Sequence, residues 1–393
     1  VCMRVCRVGL GLGLGLGLSR GTRVATRVRR ASTRECMTTA RARAAPRVAG
    51  RARATTRRTT ARATRVVDAD AYAREVARRL VAQHDAAATM RGAVYDGALD
   101  VIVRVNDARC APVMRLYDRG FTRGHAVFDA CTVHEGRCHL LAAHLRRFAR
   151  SAREAGGGEM NDEALATMEA LVLEVVARGG VTHGQVRMYA TSGCESENFS
   201  LCGATDSPPT YYVVAYEKDP DAWMVVRGLT ASSSPVPIKP PRYATLKSTN
   251  YLPNVNVAQI ARGNGVDVGV FLTQDGMIGE GPGANVAFLT PDGTLRTPPA
   301  TNVLGGITIQ RLRELIETES NRKALRKVGI KRFDDSQPLS PFVVLGAEEA
   351  MLVGSAVGVQ GIISWDGRQV GDGRVGPATS FLAELLLDDM RSI

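Results

Sequence analysis

Apolar residues recur along this chain at two spacings, one of about 3.6 residues and one of two, and segments of each kind alternate. Tyr72, Val76, Leu80 and Val81 fall at helical spacing over 68–84, where Asp68 or Asp70 is placed to cap. Asp96-Gly97 predicts a turn and Val101–Val105 a strand. Ala126–Val133 reads as a strand closed by a hairpin turn at 134–137, followed by a helix over His139–Ala155. Leu140, Leu141, Leu145 and Phe148 form that helix's apolar face, and Gly156-Gly157-Gly158 ends it. Asn161 caps a second helix that runs to Arg178, and Val186–Ala190 and Tyr211–Tyr216 read as strands. After a link at 217–221, the second half predicts strands at Ala222–Leu229, Val266–Thr273, Asn285–Leu289 and Ala350–Val353. Helices are expected at Tyr251–Gly263, Ile309–Glu319 and Phe381–Arg391, with turns at Asp275-Gly276 and Asp292-Gly293. The pattern is that of an α/β (α+β) protein, with no repeat at solenoid periods.

Charge changes the picture in one place. The formal net charge is +12, but residues 1–67 hold 17 arginines, no lysine and one acid, Glu35. Subtracting these from the chain's 51 basic and 39 acidic residues leaves 34 and 38, a net of −4 over 68–393. The basicity therefore belongs to a leader and argues against a nucleic-acid-binding body. That leader is rich in Arg, Ala, Thr and Ser and poor in acid, as organelle transit peptides are, and it lacks the continuous apolar stretch of a membrane helix. An organelle address is expected, and these residues leave chloroplast and mitochondrion both open. The eight cysteines form no CxxC pair, so neither a zinc site nor a secreted disulfide framework is indicated. No metal and no membrane partner are expected.

The candidate chemistry lies in short polar islands. Lys247 stands between Thr245 and Ser248-Thr249-Asn250, just after Pro235, Pro237, Pro240 and Pro241. A lysine that reacts as a free amine must be partly desolvated among hydrogen-bonding groups. Glu280 occupies a Gly-Pro-rich turn, Gly279 to Gly283, ahead of an apolar strand. Gly305-Gly306-Ile307-Thr308 leads into a helix, whose first backbone N–H groups suit a phosphate. Gly354-Ser355-Ala356 could add a second backbone cradle, and Arg147 a charged phosphate contact.

The order and spacing of these islands resemble the class IV, fold-type IV aminotransferases that depend on pyridoxal 5'-phosphate (PLP). That family includes D-amino-acid transaminases, branched-chain aminotransferases and aminodeoxychorismate lyase. The resemblance runs from about Ala111 to Ile393 through DRGFTRGHAVFDACTVHEGRCHLLAAHLRRFARSA, IKPPRYATLKSTNYLPN, GEGPGANVAFL, NVLGGITIQR and LLLDDMRS. It is strongest to plant and algal plastid D-amino-acid transaminase-like members.

The resemblance implies a leader over 1–67, a helical extension over 68–87, a small α/β domain over 88–220 and a larger one over 221–393, with PLP in the interdomain cleft. It makes Lys247 the lysine that bonds to the cofactor and the catalytic base, and Glu280 the carboxylate facing the pyridine nitrogen. Arg147, Leu304, Ile307, Thr308, Ser355 and Ala356 fall at cofactor-binding positions, Ala356 where many relatives carry a hydroxyl. Phe128 stands where bacterial D-amino-acid transaminases place a substrate-facing tyrosine. Their Arg-x-His pair for the substrate carboxylate is replaced by Glu197-Asn198-Phe199, and Arg187 is a substitute. The implied activity is transfer of an amino group from a D-amino acid such as D-alanine to a 2-oxo acid, in a homodimer. The alternatives are aminodeoxychorismate lyase and an L-branched-chain aminotransferase.

Overall fold

A computed structural model describes residues 92–104, 114–195, 208–220 and 225–392. The leader, the expected helix over 68–84, Cys110, Cys202 and the segment Glu197-Asn198-Phe199 lie outside the described residues.

The first sheet is built from β1 (Gly92–Asp96), β2 (Val101–Arg104), β3 (Ala126–His134), β4 (Arg137–Cys138), β5 (Gly184–Thr191) and β6 (Thr210–Glu217). Its order is β2-β1-β6-β5-β3-β4, antiparallel throughout. Period-two alternation sorts its faces. Val127, Cys131 and Val133 of β3, Val186 and Met188 of β5, and Val213 and Ala215 of β6 join one core with two helices. These are α1 (Leu141–Glu154) and α2 (Asp162–Gly179). Asn161 caps α2 by accepting from the Ala164 N–H at 2.9 Å. The opposite face therefore presents Phe128, Ala130 and Thr132 of β3 beside Arg187 and Tyr189 of β5. It is this face that meets the rest of the chain: Thr132 Oγ1 donates to Ser355 O at 2.6 Å.

The second sheet contains β7 (Gly228–Pro237), β8 (Val268–Leu272), β9 (Asn285–Leu289), β10 (Thr294–Arg296), β11 (Arg332–Asp334), β12 (Glu349–Gly354), β13 (Gly358–Trp365) and β14 (Arg368–Gln369). The order is β11-β10-β9-β12-β13-β7-β8, with β14 on β13; β10–β11, β13–β7 and β7–β8 are parallel. Helices α3 (Leu252–Gly263), α4 (Ile307–Glu317) and α5 (Pro377–Ser392) cover it. Ile309, Leu312 and Ile316 of α4 share a core with Ala378, Leu382, Leu386 and Met390 of α5. Among the described residues no helix is long and apolar enough to cross a membrane.

Several elements differ from the sequence expectation. The strand expected at 222–229 is found at Gly228–Pro237, centred on a run of serines. That polar run can sit inside a sheet because its groups are partnered: Ser233 N and Oγ both donate to Asp366, and Trp365 Nε1 donates to Ser233 Oγ at 3.0 Å. Pro235 falls where the ladder to β8 breaks register, so it removes no ladder bond. Gly92–Asp96, expected only as a link and turn, is a strand paired on both sides. Between β2 and β3 lies a further one-turn helix over Arg119–Thr122, which Asp118 caps.

Candidate active site

Lys247 has been carried across to the first sheet. Phe128 N–H donates to Lys247 O at 2.9 Å and Thr249 N–H to Ala126 O at 3.0 Å, so the lysine's backbone is tied to β3 on both sides. The stiff proline approach and the one-turn helix Pro241–Ala244 deliver it there. Its Nζ lies 4.8 Å from the Phe128 ring centroid, a setting that strips water from the amine. Burial pushes its pKa down to about 8, and the Arg147 cation adds to the shift while Asp129 and Glu280 partly oppose it. A substantial fraction of free amine thus exists near neutral pH, which an ordinary lysine lacks.

Glu280 faces the same cleft and is 8% exposed. Leu304 N–H donates to its Oε2 at 3.1 Å, and among the described residues no group bonds Oε1. Burial raises its pKa to about 7, against the pull of that N–H, Lys247 and Lys239. The folded state holds a proton that the unfolded chain has released, so this group's contribution is present below pH 4.5 and is lost as pH rises through 7. Glu280→Gln should therefore gain stability relative to wild type across that window, by up to about 3 kcal/mol. Urea unfolding of the cofactor-free proteins at several pH values measures this; a pH-independent difference would contradict it.

Across the cleft, α4 begins at Ile307 with Gly306 as its N-cap. A Cβ on Gly306 would collide with Asn285 Oδ1, whose amide group donates to Leu304 O at 2.9 Å. Glycine is thus required for the turn to close this tightly. Thr308 Oγ1 and Ser355 Oγ stand 3.1 Å apart, so two hydroxyls and the α4 N-terminus converge on one spot. Sequence reasoning credited Ser355 with its backbone alone; its hydroxyl stands beside that of Thr308.

Arg147 lines the cleft from α1. Its Nε and Nη2 each donate to Asp129 at 2.8 Å, and Nη1 donates to Gly305 O at 3.0 Å. One hydrogen on each terminal nitrogen remains for a ligand. Burial alone would raise the Asp129 carboxyl; Arg147 and the His144 hydrogen bond of 2.7 Å override it and hold it well below the usual carboxylate range. Burial keeps His144 below the usual histidine range, so it donates to Asp129 as a neutral ring.

Lys247, Arg147, Glu280, Leu304, Ile307, Thr308, Ser355 and Ala356 all line one cleft. Phe128 lies beside Lys247 without lining the cleft. Arg187 stays off the lining as well. It shares a sheet face with Tyr189, which stacks on Phe128 at 5.7 Å, and lies 5.7 Å from the Tyr216 ring centroid. Its Nε has no hydrogen-bond partner, and among the described residues no carboxylate pairs with it. Sequence reasoning missed Asp129, Lys239, Tyr251 and Asn254. The last three lie within eight positions of Lys247, and that proximity was their available signal. Tyr251 packs edge-on against Phe128 at 5.2 Å, and burial, helped by Glu280, pushes its phenol up to about 12.

A lysine amine, a buried carboxylate and a hydroxyl-lined helix N-terminus thus surround one cleft. The chain matches the family "Amino-transferase class IV" over residues 126–365 and belongs to it. It is 33% identical to the chloroplastic D-amino-acid transaminase of Arabidopsis thaliana, over 76% of this chain and 77% of that protein. To a D-alanine aminotransferase of Staphylococcus haemolyticus it is 26% identical, over 68% and 89%. The fold matches that of the branched-chain amino acid aminotransferase of Escherichia coli with a TM-score of 0.64 at 22% identity, covering 76% of this chain and 94% of that one. The protein is thus an enzyme of this family, whose members use pyridoxal 5'-phosphate. The residues present fit that cofactor: among the described residues Asn254 Oδ1, buried at the cleft wall, has no partner and Glu280 keeps one oxygen unbonded, and the hydroxyl cradle is formed.

Proposed function

We propose that the protein is a D-amino-acid transaminase, moving the amino group of a D-amino acid such as D-alanine to a 2-oxo acid. The observation that carries the reaction class is the desolvated Lys247 amine sharing its cleft with buried Glu280. Donor handedness is supported by the likeness to the chloroplastic relative over three quarters of the chain.

In this reading Lys247 would hold the cofactor covalently, and the α4 N-terminus, Thr308, Ser355, the N–H of Ala356 and Arg147 would hold its phosphate. Ile307 and Leu304 would flank it, and Glu280 would accept from its ring nitrogen. When bound, the cofactor supplies an electron-withdrawing ring that stabilises negative charge at the substrate Cα. Lys247 Nζ, freed by the incoming amino acid, takes the Cα proton. Its depressed pKa suits it both to accept and to return that proton near neutral pH. With the cofactor bound, Glu280 would stay charged beside its protonated ring nitrogen, and that ion pair would offset the cost of burying the carboxylate. Phe128 and Tyr251 exclude water around the amine. Arg187, with which no carboxylate pairs among the described residues, would take the substrate carboxylate.

The reading extends to a homodimer and a plastid address. Exposed Phe121, Tyr243 and Leu252, 63%, 56% and 71% exposed, support a partner surface, and the leader's composition supports the address. A monomer in sedimentation, or mitochondrial import of a reporter fused to 1–67, would remove these parts. The activity is tested by titrating the cofactor's visible absorbance in full-length protein with D-alanine, L-leucine and aminodeoxychorismate. Loss of the band with D-alanine alone is expected. A response confined to L-leucine, or pyruvate released from aminodeoxychorismate alone, would overturn the reading.

A further inference from the structure

Three elements meet at one buried carboxylate outside the cleft. Asp389, on α5, is 6% exposed. Arg311 of α4 grips it with a fork, Nε to Oδ2 at 2.9 Å and Nη2 to Oδ1 at 2.6 Å. His139, in the turn after β4, reaches the same Oδ2 with Nε2 at 2.9 Å. Neither Asp389, Arg311 nor His139 lines the cleft.

The geometry matters because of where Arg311 sits. It is three residues after Thr308 and four after Ile307, one turn along the same side of α4. The apolar contacts between α4 and α5, such as Leu312 and Ile316 with Leu382 and Leu386, are non-directional and tolerate a small rotation of the helix. A bidentate guanidinium–carboxylate fork does not. His139 then fixes the same carboxylate to the first sheet, whose β3 supplies Thr132 to Ser355 and whose covering helix α1 supplies Arg147 to Gly305. The hydroxyls of Thr308 and Ser355 thus belong to elements whose relative placement this junction controls.

We propose that Asp389 is a positioning residue for the anion cradle: through Arg311 and His139 it sets the rotation of α4 against the first sheet, so that the α4 N-terminus and Thr308 meet Ser355 in register. This rests on the reading above that the cradle takes the cofactor's phosphate. A residue acting in this way strengthens binding of the phosphate ester and leaves binding of the parent aldehyde untouched. A merely structural residue would weaken both.

The test compares pyridoxal phosphate with pyridoxal, each titrated by absorbance into cofactor-stripped full-length protein. Asp389→Asn is expected to raise the Kd for pyridoxal phosphate about tenfold and to keep that for pyridoxal within about twofold. Equal weakening of both ligands, or no change in either, would overturn the proposal. Thr308→Val removes a cradle hydroxyl directly and provides the control. If it fails to discriminate between the two ligands, the cradle reading itself falls; if it discriminates and Asp389→Asn does not, only the positioning role falls. Should Asp389→Asn not fold, Arg311→Lys keeps the charge and loses the fork. The same selective loss is expected of it, and unchanged Kd values for both ligands would count against the proposal.

Discussion

Replacing Lys247 by alanine is expected to lower kcat/KM for transamination by about 10⁴-fold or more, because one side chain supplies both the covalent link to the cofactor and the base at the substrate Cα. The protein should still bind pyridoxal phosphate, since the cradle, Glu280 and Asn254 are untouched. Lys239 also lines the cleft, with its amine 5.9 Å from the Tyr251 ring centroid. Its amine sits over Tyr251 whereas that of Lys247 sits over Phe128, so it should not restore the rate. A small amine such as methylamine, added to the variant, should recover part of the lost rate by occupying the space of the deleted side chain. Steady-state kinetics with and without the amine decide this. A variant within tenfold of wild type would remove Lys247 from both roles.

The second large effect is on folding. Asp129→Ala should cost about 3–5 kcal/mol, because it leaves the Arg147 guanidinium buried without its partner. The carboxylate is fully buried and accepts from Arg147 twice and from His144 once. Its folded pKa is depressed, so its contribution is present above the unfolded value of 3.8 and is lost only as pH falls through the lower folded value. The gap between wild type and variant should therefore persist across neutral pH and narrow only in strong acid. Denaturant unfolding of the cofactor-free proteins at pH 7 and in acid measures both points. A loss below about 1 kcal/mol at neutral pH would mean that solvent reaches Arg147 and that the pair is not a buried one.

What could be read from the sequence was local. Lys247, Glu280 and the Gly-Gly-Ile-Thr turn each carry their signal within a few residues, because a desolvated amine, a turn carboxylate and a helix N-terminus are all local constructions. Asp129 was not legible in this way. A single acid inside Ala126–Val133 gives no sign of the two partners on α1, 15 and 18 residues on, that justify its burial. The His139–Asp389–Arg311 junction spans 250 residues between its outer members, and only the folded chain brings them together. Strand β13 was missed because Gly358 and Gly361 interrupt its apolar run, while β7 was displaced because its serines find partners the pattern does not show. Ser355 illustrates the same limit at the scale of one atom: the motif located its backbone, and packing against Thr308 revealed its hydroxyl.

Which lysine nitrogen carries the cofactor decides between Lys247 and Lys239, the two amines that line the cleft. Borohydride reduction of the full-length enzyme saturated with pyridoxal phosphate, followed by peptide mass mapping, fixes that bond in place and reports its position. The mass of a phosphopyridoxyl group is expected on the peptide containing Lys247 and on no other lysine. The same mass on Lys239, or no lysine modified, would contradict the site described here.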